Sequence, residues 1–209
     1  MTDADRAAER MLRERIGRER PGEGVLGEEE GDDGGSARWI VDPIDGTRNF
    51  SRGIPVWATL LALERDGRVV LGVVSAPALG HRWWAMRGAG AWADGERLTV
   101  SRVERLADAA IAATYARDYA AVEPVAWHAR GLGDFWQHML VAEGALDAAV
   151  DAELSLWDYA PLGVIVEEAG GRLSALDGGA PQPGTQVLSS NGLLHDDLLA
   201  LLSADEPSA

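Results

Sequence analysis

Trp39-Ile40-Val41-Asp42-Pro43-Ile44-Asp45-Gly46-Thr47-Arg48-Asn49-Phe50 is the stretch on which the reading of this chain turns. Arg38 to Val41 reads as a short apolar strand that runs into two aspartates three positions apart. Pro43, between them, has no amide hydrogen to give a ladder, which predicts that the strand stops there in a turn. That turn aims both carboxylates and the Ile44 carbonyl at one point, an all-oxygen set that suits hard cations such as Mg²⁺ or Mn²⁺. Gly46 and Thr47 then open a helical turn whose free amides and positive dipole end suit a phosphate. A bare D-P-x-D-G fragment is as readily an Asp-Pro turn with a capped helix behind it. An EF-hand is a poor rival, because Ile44 stands where that loop wants Asp or Asn.

Working outward, Asp3 to Arg20 reads as an amphipathic helix with Ala7, Met11, Leu12 and Ile16 on one face, capped by Thr2 or Asp3. Pro21 to Ser36 reads as a Gly- and acid-rich loop. After the motif, Val56–Leu63 and Val69–Ser75 flank an Asp66-Gly67 hairpin signal, and strands at Arg82–Met86, Ala91–Trp92 and Arg97–Val100 follow. The second half alternates. Strands are expected at 109–114, 146–150, 172–176 and 186–190, and helices at 134–144, 159–169 and 194–202, with Gly170-Gly171 as a C-cap. Residues 115–130 give no clear pattern, and the tail after Ser203 reads as frayed. Antiparallel strands first and alternating units second predict an α+β or α/β layered sandwich rather than a doubly wound sheet. The chain, 1–209, reads as one domain with a metal-site half (about 1–108) and a substrate-side half (about 109–209).

Composition narrows the chemistry. With 209 residues, 46% of them hydrophobic, the chain can bury a core without staples. Without cysteine there is neither a disulfide nor a thiolate nucleophile or metal ligand. A net charge of −15 argues against nucleic-acid and anionic-membrane partners. No apolar run reaches membrane-spanning length, and the charged start lacks a signal-peptide core, so the expected compartment is the cytoplasm. Asn49-Phe50-Ser51 matches a glycosylation sequon, which has no meaning without secretion.

Two further elements join the motif: Gly27-Glu28-Glu29 upstream, and Trp157-Asp158-Tyr159-Ala160 ending in Glu168-Ala169-Gly170-Gly171 downstream. With these three in order, the chain strongly resembles the inositol monophosphatase superfamily over essentially its whole length. The resemblance implies the layered fold, hydrolysis of a phosphate monoester, two or three Mg²⁺ ions (Mn²⁺ as a substitute) and a homodimer. It implies metal ligation by Glu28, Asp42, the Ile44 carbonyl, Asp45 and Asp158. Thr47, beside Glu28, would help activate the attacking water, and the Gly46 and Thr47 amides would hold the phosphate. Read alone, Glu28 belongs to an acidic loop and Asp158 to a helix N-cap. His81, His128, His138 and His195 show no ligand spacing and read as surface or core residues.

Electrostatics agree with the metal reading. Two unit charges 4 Å apart repel by about 4 kcal/mol at an effective dielectric near 20. A phosphate dianion therefore enters a pocket of four carboxylates only if divalent cations reverse the local sign. With such ions, one acidifies a water and another steadies the leaving oxygen of an in-line displacement.

The substrate side is more discriminating. Ser75-Ala76-Pro77-Ala78-Leu79, Arg82-Trp83-Trp84-Ala85, Arg130-Gly131-Leu132-Gly133-Asp134-Phe135-Trp136 and Val141-Ala142-Glu143-Gly144 resemble the histidinol-phosphatase branch. Asp134 would then meet a cationic amine or imidazole beside Gly133, with Asp151 and Asp158 also facing the substrate, although Asp134 alone reads as a helix N-cap. The expected substrate is L-histidinol phosphate. Inositol 1-phosphate or a range of sugar phosphates is the alternative. The chain starts at the Thr2-x-x-Asp5 element, which relatives reach after about 35 to 45 residues, their first helix included. The same reading therefore leaves open a shortened, non-catalytic metal-binding or interaction paralogue.

Overall fold

The computed structural model describes residues 2–203. Helix α1 (Asp3–Glu19) begins at Thr2, whose hydroxyl accepts the Ala4 amide while Asp5 accepts from the Thr2 backbone. Its buried side keeps Leu12 and Ile16 of the predicted face but not Ala7 and Met11. Met11 is 68% exposed, and the residues turned inward are Asp5, Glu9 and Ile16, with Leu12 partly covered. Burying Glu9 is tolerated because its carboxylate accepts the Glu29 and Glu30 amides and pairs with Arg13.

The predicted loop before Ser36 also holds structure. Strand β1 (Gly24–Gly27) turns into β2 (Gly31–Asp32) and pairs in parallel with β3 (Ala37–Asp45), Gly27 opposite Val41. Glu28 thus leaves β1 level with Asp42. The packing of α1 follows from alternation along β3. Trp39 and Val41 face Leu12 and Ile16 of α1, while Ile40 faces the opposite side of the sheet.

Strand β3 does not stop at Pro43. It runs on to Asp45 against β4 (Ala58–Arg65), with Asp42 opposite Leu60 and Asp45 opposite Ala58. Three steps on one strand against two on the other make a β-bulge, a place where proline's missing donor is harmless. The Pro43 carbonyl is taken by the Thr59 hydroxyl at 2.9 Å. In a regular strand residues three apart point to opposite faces; the extra residue turns Asp42 and Asp45 to the same one.

Strands β5 (Arg68–Ala76), β6 (His81–Met86), β7 (Gly90–Ala93) and β8 (Glu96–Arg97) complete an eight-stranded sheet in the order β2-β1-β3-β4-β5-β6-β7-β8. Asp66-Gly67 and Asp94-Gly95 take positive φ at both positions, the hairpin turn that their sequence predicts. A second sheet joins β9 (Ala110–Ala113), β10 (His128–Arg130), β11 (Ala148–Leu154), β12 (Arg172–Ala175) and β13 (Thr185–Ser190) in the order β10-β9-β11-β13-β12. Between the sheets lie α4 (Asp134–Ala142) and α5 (Leu156–Glu168); α3 (Ala116–Val122) and α6 (His195–Ser203) cover the outer face of the second. Helix α3 and β10 occupy the segment that gave no sequence pattern. The expectation for the tail after Ser203 lies outside the described residues.

The result is the layered helix-and-sheet sandwich that the sequence predicts. Its central helix, α5, is apolar nearly all round, with Ala160 to Val166 buried, as a helix between two sheets must be. It lies so close to β5 that a Cβ on Gly72 would stand 2.5 Å from Val164 Cγ1 and 2.6 Å from the Pro161 carbonyl. Among the described residues no helix is long and apolar enough to cross a membrane. Gly72→Ala is expected to cost about 1–3 kcal/mol of stability through this overpacking, read from the midpoint of urea unfolding. An unchanged midpoint would show that α5 can move away from the sheet freely.

Candidate active site

Three elements end at one open cleft of about 590 Å³: the bulge of β3, the turn after β1 and the start of α5. Carboxylate oxygens of Asp42, Asp45 and Asp158 lie within 4.8 Å of one another. Each of the three gives one oxygen to a backbone amide. Asp42 accepts from Ile44 at 2.9 Å, Asp45 from Phe135 at 2.7 Å and Asp158 from Ser155 at 2.7 Å. Those bonds orient the groups without neutralising them. Asp158 is not the N-cap of α5; Ser155 is, and Asp158 braces that cap from the first turn.

Glu28 lines the same cleft outside the tight trio, near enough to Asp42 to share a hydrogen bond with it when a proton is present. All four acids feel the crowding. Burial first, and then repulsion from Asp45, Glu28 and Asp158, pushes Asp42 well above the usual carboxylate range. Asp45 rises for the same reasons, burial before the charge of Asp134 and Asp158. Glu28 is raised by burial and then by Asp158, and Asp158 is raised by burial to about 6. Among the described residues no basic side chain pairs with any of the four within 4 Å. An all-oxygen, negatively charged and unbalanced donor set of this kind fits a hard divalent cation.

Beside the acids, Gly46 takes φ +77°, and a Cβ there would meet the Val56 carbonyl at 2.9 Å, so only glycine fits. It is the N-cap of the short helix α2 (Thr47–Ser51). The Thr47 hydroxyl lies 2.8 Å from the Ile44 carbonyl and 3.2 Å from Asp5 Oδ1. Its single proton goes to one acceptor at a time. Asp5, fully buried on α1, escaped the reading of site residues; an acid on the i, i+4, i+7, i+11 face with Glu9, Leu12 and Ile16 was its signal.

The predicted substrate-side residues come to the same cleft. Gly133, not Asp134, is the N-cap of α4, and Asp134 takes a left-handed φ of +56°. Its carboxylate does not cap the helix but accepts from Asn49 Nδ2 at 2.7 Å, and the same amide nitrogen holds the Val56 carbonyl. Burial and then Asp151 raise Asp134. Asp151 behaves oppositely. Burial would lift it, yet His138, the Thr114 hydroxyl and the Ala152 amide together hold it below the usual range. His138 is a core residue, as read, and its contact with Asp151 at 3.4 Å has no signal in the sequence. His195 is buried between two serines, His128 is half-buried and His81 pairs with Asp94 on the surface, all away from the cleft. Thr114, Tyr115, Arg48 and Asn49 complete the walls and were not predicted.

Comparison with known proteins agrees with this architecture. The model of the inositol monophosphatase family matches residues 1–205. A histidinol-phosphatase of Mycobacterium tuberculosis is 49% identical over 98% of this chain and 85% of its own length. A histidinol-phosphatase of Streptomyces coelicolor is 44% identical over 97% of this chain and 84% of its own. Among solved structures, an IMPase from Thermotoga maritima superposes with a TM-score of 0.91 at 34% identity, covering 98% of this chain and 83% of that one.

The raised acids make a prediction about the metal-free protein. A carboxyl with a raised folded pKa stabilises the fold below its unfolded pKa and loses that contribution as pH rises through the folded value. For Asp158 the window runs from its ordinary value of 3.8 to about 6, a loss of at most about 3 kcal/mol. Melting of the metal-free protein is expected to fall across that window, less so in Asp158→Asn, and to recover in the wild type when a divalent cation is added. Identical pH profiles for the two proteins would contradict the crowding.

Proposed function

The chain belongs to the inositol monophosphatase family, and from that premise we propose that it hydrolyses L-histidinol phosphate to L-histidinol and phosphate with Mg²⁺ as its ion. The observation that carries the proposal is the sorting of six carboxylates in one cleft: four that no basic side chain among the described residues pairs with, at β1, β3 and α5, and two, Asp134 and Asp151, beside them on α4 and β11. The first group suits metal. The second suits a cationic leaving group, which the amine and imidazole of histidinol supply and inositol does not.

Glu28, Asp42, the Ile44 carbonyl, Asp45 and Asp158 would hold two or three ions. When bound, the metal supplies the positive charge that makes the cleft attract a phosphate dianion and acidifies water at neutral pH. The chain's own groups do the rest. The Gly46 and Thr47 amides bind phosphate oxygens. Thr47, its own proton given to Asp5 or the Ile44 carbonyl, orients the attacking water through its hydroxyl oxygen, and the Glu28 carboxylate accepts the proton that the water loses, since a carboxylate raised by burial is a better base near neutral pH. Asn49 holds Asp134 in place. Asp151, kept ionised by its three donors, faces the organic part of the ester along with Asp134 and Asp158. In the same proposal the enzyme works in the cytoplasm as a homodimer.

The likeness to an IMPase structure favours inositol 1-phosphate as the second reading. Turnover of the two esters by the purified protein separates them. A clear preference for histidinol phosphate is expected, and equal or better turnover of inositol 1-phosphate would reject the choice. Replacing a metal acid and a substrate acid should have different signatures. Asp45→Asn is expected to lower kcat on the order of 100-fold or more with every ester. Asp134→Asn is expected to raise KM about tenfold for histidinol phosphate and to leave KM for inositol 1-phosphate nearly unchanged. An equal effect on both esters would remove Asp134 from substrate discrimination.

A further inference from the structure

Arg48 is the one basic side chain among the residues lining a cleft that holds six acids. Despite that company, among the described residues it makes no ion pair within 4 Å and its guanidinium makes no hydrogen bond. Elsewhere in this acidic chain arginines facing carboxylates pair with them: Arg13 with Glu9, Arg38 with Glu64, Arg117 with Asp118. The backbone that carries Arg48 is held on both sides. Thr47 is tied to the Ile44 carbonyl before it, and Asn49 is tied to Val56 and Asp134 after it. The stem is therefore placed beside the phosphate-binding Gly46-Thr47 turn, while the charged head is exposed, acting on Asp134 only through space, where it draws that carboxyl down.

A phosphate monoester offers such a head a matching group. A phosphate seated on the amides of the turn beside the acid cluster would leave its remaining oxygens facing outward. A guanidinium binds two oxygens of one phosphate through parallel N–H donors. The proposed substrate has no second anion for Arg48 to meet, so the phosphate is its only partner of opposite charge on the ligand. We propose that Arg48 binds the outward phosphate oxygens of the substrate and of the released phosphate, independently of what the phosphate is attached to. This inference rests on the phosphatase reading, and it does not depend on which ester is preferred.

Arg48→Met keeps most of the stem and removes the charge; Arg48→Lys keeps the charge and removes the fork. Titration calorimetry of inorganic phosphate into the Mg²⁺-loaded protein reads the contact without turnover. The Met variant is expected to bind phosphate about tenfold more weakly, with the Lys variant in between. KM for histidinol phosphate and for inositol 1-phosphate should rise by the same factor in the Met variant, with melting temperature unchanged. Phosphate binding that is equal in the wild type and the Met variant, or absent from the wild type, would overturn the proposal. So would a KM rise confined to one ester, which would place Arg48 on the leaving group through Asp134. A wild type that prefers inositol 1-phosphate sinks the substrate assignment alone, because the equal rise in KM still tests Arg48.

Discussion

Like charges held together against their repulsion organise this molecule. Asp42, Asp45 and Asp158 converge within 4.8 Å, Glu28 adjoins them, and among the described residues no basic side chain pairs with them. Left to themselves these groups would turn apart toward water. The fold prevents it with covalent and hydrogen-bonded restraints on each. The bulge at Pro43 turns two aspartates to one face, the parallel pairing of β1 with β3 delivers Glu28 to the same level, and α5 brings Asp158 down from the central layer. Gly72 lets that helix sit directly on the sheet.

The cleft uses carboxylates in two ways, and the surroundings decide which. Among Glu28, Asp42, Asp45 and Asp158 burial and mutual repulsion dominate, and every member is raised. Asp151 is nearly as buried, yet three donors reverse the direction. A group that stays charged without a metal can meet a cation on the substrate; groups that resist charge until a metal arrives cannot. Asp134 lies between these cases, raised by burial but held by Asn49 and set in a left-handed backbone that a non-glycine residue rarely takes. Backbone strain of that kind is often kept where a side chain must point in a particular direction.

The sequence told more about chemistry than about geometry. Asp42, Asp45, Gly46 and Thr47 are identifiable because oxygen ligands, a tight glycine and a proline are unusual together, whereas Glu28 and Asp158 join them only through the resemblance to the inositol monophosphatase superfamily. What the sequence hid were the consequences of pairing. Pro43 read locally ends a strand, whereas the partner strand supplies the Thr59 hydroxyl and the register that make it a bulge. Asp5 and Glu9 look like the polar face of α1, and only the Glu29 and Glu30 amides and the Thr47 hydroxyl explain their burial. The α3 and β10 segment had no readable period because it is short and half-covered. Asp134 was read as a cap because caps are local, while its partner Asn49 is 85 positions away.

The central claim is that the bulge and the start of α5 exist to place oxygens around divalent metal. Anomalous diffraction from crystals grown with Mn²⁺ tests it directly. Peaks are expected in the cleft within about 2.0–2.6 Å of oxygens from Asp42, Asp45 and Asp158, the range hard cations take to such donors. A crystal with Mn²⁺ bound only elsewhere, and the three carboxylates still together, would contradict it.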